Sequence, residues 1–147
     1  RRMKVLIVED HDWRAAEVAN AIEWGGIVHA KTVQHARSIL TDLGPDVIVM
    51  DHDLDLDGTK RDAGSGTEIV TDLERLSHDE KPLVIVHSKN APAAVGMVAR
   101  LVASGYPTAW IPMTRLDVYR AAPHQLDALR AILRGWQTLR RSKTPST

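Results

Sequence analysis

Apolar residues fall along the chain in two alternating rhythms. Continuous runs of strand length, Lys4 to Val8, Val47 to Met50 and Leu83 to Val86, are each followed by a stretch with apolar residues three or four positions apart. The first such stretch places Trp13, Ala16, Ala19 and Ile22 ahead of Gly25-Gly26 and predicts a helix with those residues on its stripe. Ile27 to Lys31 is a weaker strand, after which Thr32 can cap a helix whose stripe is Val33, Ala36, Leu40 and Leu43, closed by Gly44-Pro45. Val47 to Met50 is apolar at every position, as expected of a strand covered on both faces. Ser65 and Glu68 have capping-box spacing before the stripe Ile69, Val70, Leu73 and Leu76. Pro82 leads into Leu83 to Val86. Asn90 then stands where it can cap a helix carrying Val95, Val98 and Val102 and ending at Gly105. Thr108 to Ile111 is a fifth strand, and Pro123 starts a last helix running to about Arg140.

Five strands alternating with five helices predict an α/β domain: a five-stranded parallel sheet with right-handed crossovers and helices on both faces. The common five-stranded solution is the flavodoxin-like order 2-1-3-4-5, in which ligands sit beyond the carboxyl ends of the strands where strand order reverses. One domain is expected over 3–141. Residues 142–147, basic and then rich in Ser, Thr and Pro, are expected to form a disordered tail.

Composition narrows the function classes. A chain of 147 residues that is 44% hydrophobic can build one buried core. Lys plus Arg equals Asp plus Glu at 19 each, which removes the general attraction that nucleic acids and anionic membranes exploit; no direct DNA binding is expected. The basic residues Arg134, Arg140, Arg141 and Lys143 read as a solvated helix end. The apolar runs are far shorter than the ~20 residues of a bilayer span. Cysteine is absent, which excludes disulfides and thiolate metal sites, and no signal-peptide pattern is present, so the cytoplasm is the expected location. Arg1 and Arg2 precede Met3, the natural-looking start, and read either as residues added ahead of it or as the end of an upstream segment.

Polar chemistry gathers where the predicted strands end. The first closes in Glu9-Asp10-His11, the third in Asp51-His52-Asp53 and the fourth in His87-Ser88-Lys89-Asn90. Carboxylates converging on one spot either raise a pKa or recruit a cation. Hard oxygens favour Mg²⁺, with Mn²⁺ as the alternative where imidazoles lie near. Such an ion keeps several waters and binds phosphate oxygens, which directs the site toward phosphoryl chemistry. The alternating Asp51, Asp53, Asp55 and Asp57-Gly58 resembles the start of a calcium loop. Counted from Asp53, however, the required bidentate Glu position is Gly64, and the segment follows a strand.

His52 and His87 flank the pocket and are candidate hydrogen-bond donors or general acid/base groups, whereas His11 reads as an exposed loop residue. Ser88 can donate to a phosphoryl oxygen, Lys89 can supply positive charge, and Asn90 either contacts phosphate or caps the next helix. The polar loop 55–64 either closes over a ligand or is a plain surface insertion.

The segments "VLIVED" at 5 to 10 and "PDVIVMD" at 45 to 51 resemble the first and third strands of response-regulator receiver domains. That resemblance implies Glu9 and Asp10 as the acidic pair for Mg²⁺, Asp51 as phosphoacceptor, Asp53 as a metal ligand through its carbonyl, and Ser88 as switch hydroxyl. Receivers usually carry a Lys at the end of the fifth strand; here the segment is Trp110-Ile111-Pro112-Met113-Thr114. Asp51-His52-Asp53-Leu54 and His87-Ser88-Lys89-Asn90, with "SGTEIV" at 65 to 70 and "APAAVGM" at 91 to 97, resemble the divergent branch named cyclic-phosphate-processing receiver domains. The branch implies a metal-dependent phosphoesterase acting on a phosphorylated small molecule, a cyclic nucleotide or an RNA end, with Asp51, His52, His87 and Ser88 catalytic. The alternative is a two-component phosphorelay in which a histidine kinase phosphorylates Asp51.

Overall fold

The computed structural model describes residues 3–22, 26–51, 65–76, 81–88, 91–112, 115–117, 120–121 and 123–143. Strands β1 (Lys4–Val8), β2 (Gly26–Ala30), β3 (Val47–Met50), β4 (Leu83–Val86) and β5 (Thr108–Trp110) form one sheet in the order β2-β1-β3-β4-β5. Every pairing in it is parallel. This is the predicted flavodoxin-like order.

Strand alternation divides the interior into two layers. Val5, Ile7, Val47, Val49 and Ile85 pack with helices α1 (Asp12–Ala21) and α5 (Pro123–Lys143), through Ala15, Val18, Leu129 and Leu133. Leu6, Val8, Ile48, Met50, Val84 and Val86 pack with α2 (Val33–Leu43), α3 (Gly66–Arg75) and α4 (Ala91–Ala103). β3 and β4 are buried at every position, because both layers cover them.

Three of the predicted boundaries form as local chemistry expects, whereas Gly26, predicted in the stop of the first helix, opens β2 with its N–H bonded to the Met3 carbonyl, α1 ending earlier at Ala21. The Thr32 side chain accepts from the His35 N–H at 3.1 Å, and Gly44 ends α2 in the left-handed region at φ 59°. Ser65 and Glu68 make the capping box of α3, with the Ser65 N–H donating to Glu68 Oε2 at 2.8 Å.

Helix faces depart from the reading of the sequence. In α1 the buried residues are Arg14, Ala15, Val18 and Ala21, while Ala16 is exposed. An alanine-rich helix offers two overlapping stripes, and the one holding Val18 buries more apolar surface. In α4, Ala94, Met97 and Leu101 are buried, and Val95 and Val102 point outward at 56% and 57% exposure. Met97 and Leu101 reach further into the layer than valines would. Leu76 lies past the end of α3 and is exposed.

A short antiparallel pair, β6 (Arg115–Asp117) and β7 (Arg120–Ala121), precedes α5 and was not predicted. Arg140 is also not the solvated helix-end residue expected. Its Nη2 donates to Oδ1 of buried Asp46 at 2.7 Å, Trp136 Nε1 donates to the Asp46 carbonyl at 3.3 Å, and Asp46 Oδ2 accepts from the Lys4 N–H. These contacts tie α5 to the amino-terminal edge of the sheet, opposite the polar strand ends. Among the described residues no helix is long and apolar enough to cross a membrane.

Candidate functional site

The site follows from the period of two. Val8 pairs with Met50 and Met50 with Val86, so one residue further on Glu9, Asp51 and His87 lie side by side. Their N–H groups still bond as the strands do, Asp51 to the Val8 carbonyl and His87 to that of Met50. By parity all three continue the Ile7, Val49 and Ile85 row, which faces α1 and α5. Asp10 and Ser88 have the other parity. Ile111 extends the same row on the far side of His87, its N–H bonded to the Val86 carbonyl.

Glu9, Asp10, Asp51, His87 and Ser88 are all buried. Arg14 comes down on the row from α1 and is itself only 5% exposed. Its Nη1 donates to Asp51 Oδ2 at 2.9 Å and lies 3.3 Å from Glu9 Oε1, so one guanidinium spans carboxylates from two adjacent strands. The Trp13 ring stands 5.3 Å from Arg14 Cζ. The other Glu9 oxygen, Oε2, is 3.7 Å from His87 Nε2 and has no hydrogen-bond partner.

Electrostatics here are set by loss of water. Burial, reinforced by the Asp51 carboxylate, pushes the Glu9 pKa up to about 9, although Arg14 pulls the other way. Burial, reinforced by Arg14, pushes His87 down to about 3, so its imidazole is neutral near pH 7. A neutral ring offers one donor and one acceptor nitrogen.

His11 is the N-cap residue of α1, with 42% of its side chain exposed. It is more than a loop residue, because its N–H donates to Glu9 Oε1 at 3.3 Å and its Nε2 is 3.8 Å from Asp10 Oδ2. Glu9, Asp10 and His11 each offer a ligand atom within 4.8 Å of the others. Two carboxylates, one with a bare buried oxygen, and an adjacent imidazole fit a hard divalent ion such as Mg²⁺ or Mn²⁺. Asp51, the third expected ligand, lies beside this group in contact with Arg14.

The Ser88 carbonyl accepts from Trp110 Nε1 at 2.9 Å, which joins the end of β4 to β5. His29 Nε2 is 2.6 Å from the Glu9 carbonyl and steadies the end of β1 from β2. Neither contact has a sequence signal. Arg14 does carry one: it sits four residues before Val18 and seven before Ala21, on the stripe that is buried. His52, Asp53, Lys89, Asn90 and the loop 55–64 lie outside the described residues.

Residues 5–103 match the family described as the cyclic-phosphate processing receiver domain. No curated protein sequence matches the chain. Among solved structures, the chemotaxis response regulator CheY4 of Vibrio cholerae is similar over 92% of this chain and 99% of its own, at 17% identity and a TM-score of 0.65. A CheY-like receiver domain from Methylobacillus flagellatus is similar over the same shares, at 17% identity and 0.66. The beryllofluoride-activated NtrC4 receiver domain is similar over 90% of this chain and 98% of its own, at 18% identity and 0.58. At these identities the likeness concerns the fold.

Proposed function

Since the chain belongs to the cyclic-phosphate processing receiver domain family, we propose that it handles phosphoryl groups at the Glu9, Asp51 and His87 row, hydrolysing cyclic phosphates of nucleotides or RNA ends with Mg²⁺ or Mn²⁺. The observation that carries this reading is that row: two buried carboxylates and a neutral imidazole in register on three adjacent strands, with Glu9 Oε2 lacking a donor. Glu9, Asp10 and Asp51 would hold the ion, with His11 at its margin and Asp53 as a further ligand through its carbonyl. When bound, such an ion supplies positive charge to phosphoryl oxygens.

Ring opening forms one bond to phosphorus and breaks one ester bond of the ring. With water as nucleophile, a proton leaves the water and a proton goes to the departing oxygen. With Asp51 as nucleophile, an acyl phosphate forms while the departing ring oxygen takes up a proton, and a water then hydrolyses it, giving up a proton and restoring the Asp51 carboxylate. His87, neutral at its position and with both buried ring nitrogens free of hydrogen bonds, would hydrogen-bond the reacting oxygens and relay a proton between them. Ser88, and Lys89 and Asn90 with it, would contact phosphoryl oxygens, and His52 would share proton transfer.

One observation favours a second reading, a signalling domain phosphorylated on Asp51 by a histidine kinase. The bond from Trp110 to the Ser88 carbonyl gives the pocket a direct connection to partly exposed β5.

The test is turnover of 2′,3′-cyclic nucleotides with Mg²⁺ or Mn²⁺ by the wild type, Asp51→Ala and His87→Ala. The hydrolytic reading expects metal-dependent turnover that both substitutions abolish. No turnover in any sample, together with alkali- and hydroxylamine-labile phosphate on wild type but not on Asp51→Ala after incubation with a phosphodonor, would replace it with the signalling reading.

A further inference from the structure

Burying an arginine is unfavourable unless carboxylates compensate it, and an apolar side chain of similar volume at that point of α1 would pack without the desolvation penalty. Arg14 is nevertheless placed where two strands each deliver a carboxyl group to it, that of Asp51 at 2.9 Å and that of Glu9 at 3.3 Å. Its Nε is buried with no acceptor, so the guanidinium keeps a donor in reserve. Among the described residues no other lysine or arginine is buried. The row itself ends in apolar Ile111, just past β5, and among the described residues it supplies no cation from that side. Among the described residues, the charge of the acidic row is therefore balanced from α1.

We infer that Arg14 is the resident counter-cation of the phosphoryl site: a divalent ion must draw Asp51 away from it, and the guanidinium then binds an oxygen of the phosphoryl group. The inference rests on the reading of the site as a metal-dependent phosphoryl centre. Arg14 and a divalent cation compete for the same Asp51 oxygens, since a carboxylate in a bridging ion pair has fewer lone pairs to offer and the two cations repel. A phosphoryl group brings the opposite charge, and planar Arg donors match its oxygens. Arg14 therefore weakens metal binding and strengthens oxyanion binding. A packing role alone would not produce effects of opposite sign.

The experiment is calorimetric titration of the full chain with Mn²⁺ alone, then with beryllofluoride at saturating Mn²⁺, for the wild type, Arg14→Met and Arg14→Lys. Circular dichroism confirms that each variant is folded. Arg14→Met is expected to bind Mn²⁺ roughly tenfold tighter and beryllofluoride roughly tenfold weaker, as loss of a neighbouring unit charge implies. Arg14→Lys keeps the charge without the planar fork and is expected to hold Mn²⁺ close to wild type while losing part of the oxyanion affinity. If Arg14→Met does not fold, Arg14→Lys carries the test, and equal oxyanion affinity in it overturns the inference. Unchanged or weaker Mn²⁺ binding in folded Arg14→Met, or unchanged beryllofluoride binding, overturns the role of Arg14 and leaves the phosphoryl site standing. A wild type that takes up neither probe overturns the phosphoryl reading itself, and the inference with it.

Discussion

Replacing Glu9 by Gln should make the metal-free protein more stable, and increasingly so as pH rises. The Glu9 carboxyl is fully buried, and its pKa is lifted from 4.5 to about 9 by burial first and by Asp51 second. A folded-state pKa above the unfolded one means that the native state holds a proton the unfolded chain gives up. The resulting stability is fully present below pH 4.5 and is lost as pH climbs through 9. At about 1.36 kcal/mol per pKa unit, the loss is about 3 kcal/mol at pH 7 and about 6 kcal/mol once pH exceeds 9. Glutamine has the shape of the protonated carboxyl and does not titrate, so the variant avoids that loss. Urea unfolding of both proteins in chelator at pH 5, 7 and 9 measures the difference. The gap should open from under 1 to about 3 and then toward 6 kcal/mol. A gap that stays constant with pH, or a less stable glutamine variant at pH 7, would refute the account of Glu9 as a desolvated acid kept for use at a cost to the fold.

Three further outcomes follow from other parts of the molecule. Arg140→Ala leaves buried Asp46 without its guanidinium and should destabilise the fold by about 3 kcal/mol in urea, with Mn²⁺ affinity unchanged because the pair lies at the opposite edge of the sheet. Tyr106→Phe removes a buried bond to the Leu73 carbonyl of 2.7 Å; that carbonyl also accepts from the Leu76 N–H, so thermal unfolding should report a loss of only about 1 kcal/mol. Thr32→Ala removes the cap bond to the His35 N–H, and chemical denaturation should show a loss of about 1 kcal/mol.

The elements legible in the sequence are those whose cause is local. Thr32, Gly44, and Ser65 with Glu68 mark helix ends because cap bonds join residues three or four apart, and Val47 to Met50 marks a central strand because both of its faces must be apolar. Alternation of strands and helices then carried the sheet order, and the polar strand ends carried Glu9, Asp10, Asp51 and His87 to one edge. Period-two counting could also have shown that Glu9, Asp51 and His87 share a face. Tertiary structure alone decided which stripe of α1 and of α4 faces inward, because competing stripes differ only in how well they fill the layer beneath. That choice of face buries Arg14 and turns it onto Asp51, and the same kind of long-range meeting brings Arg140 to Asp46, 94 positions away. A charged side chain reads as solvent-facing in sequence, because the partners that make its burial tolerable come from distant strands and exist only after the chain has folded.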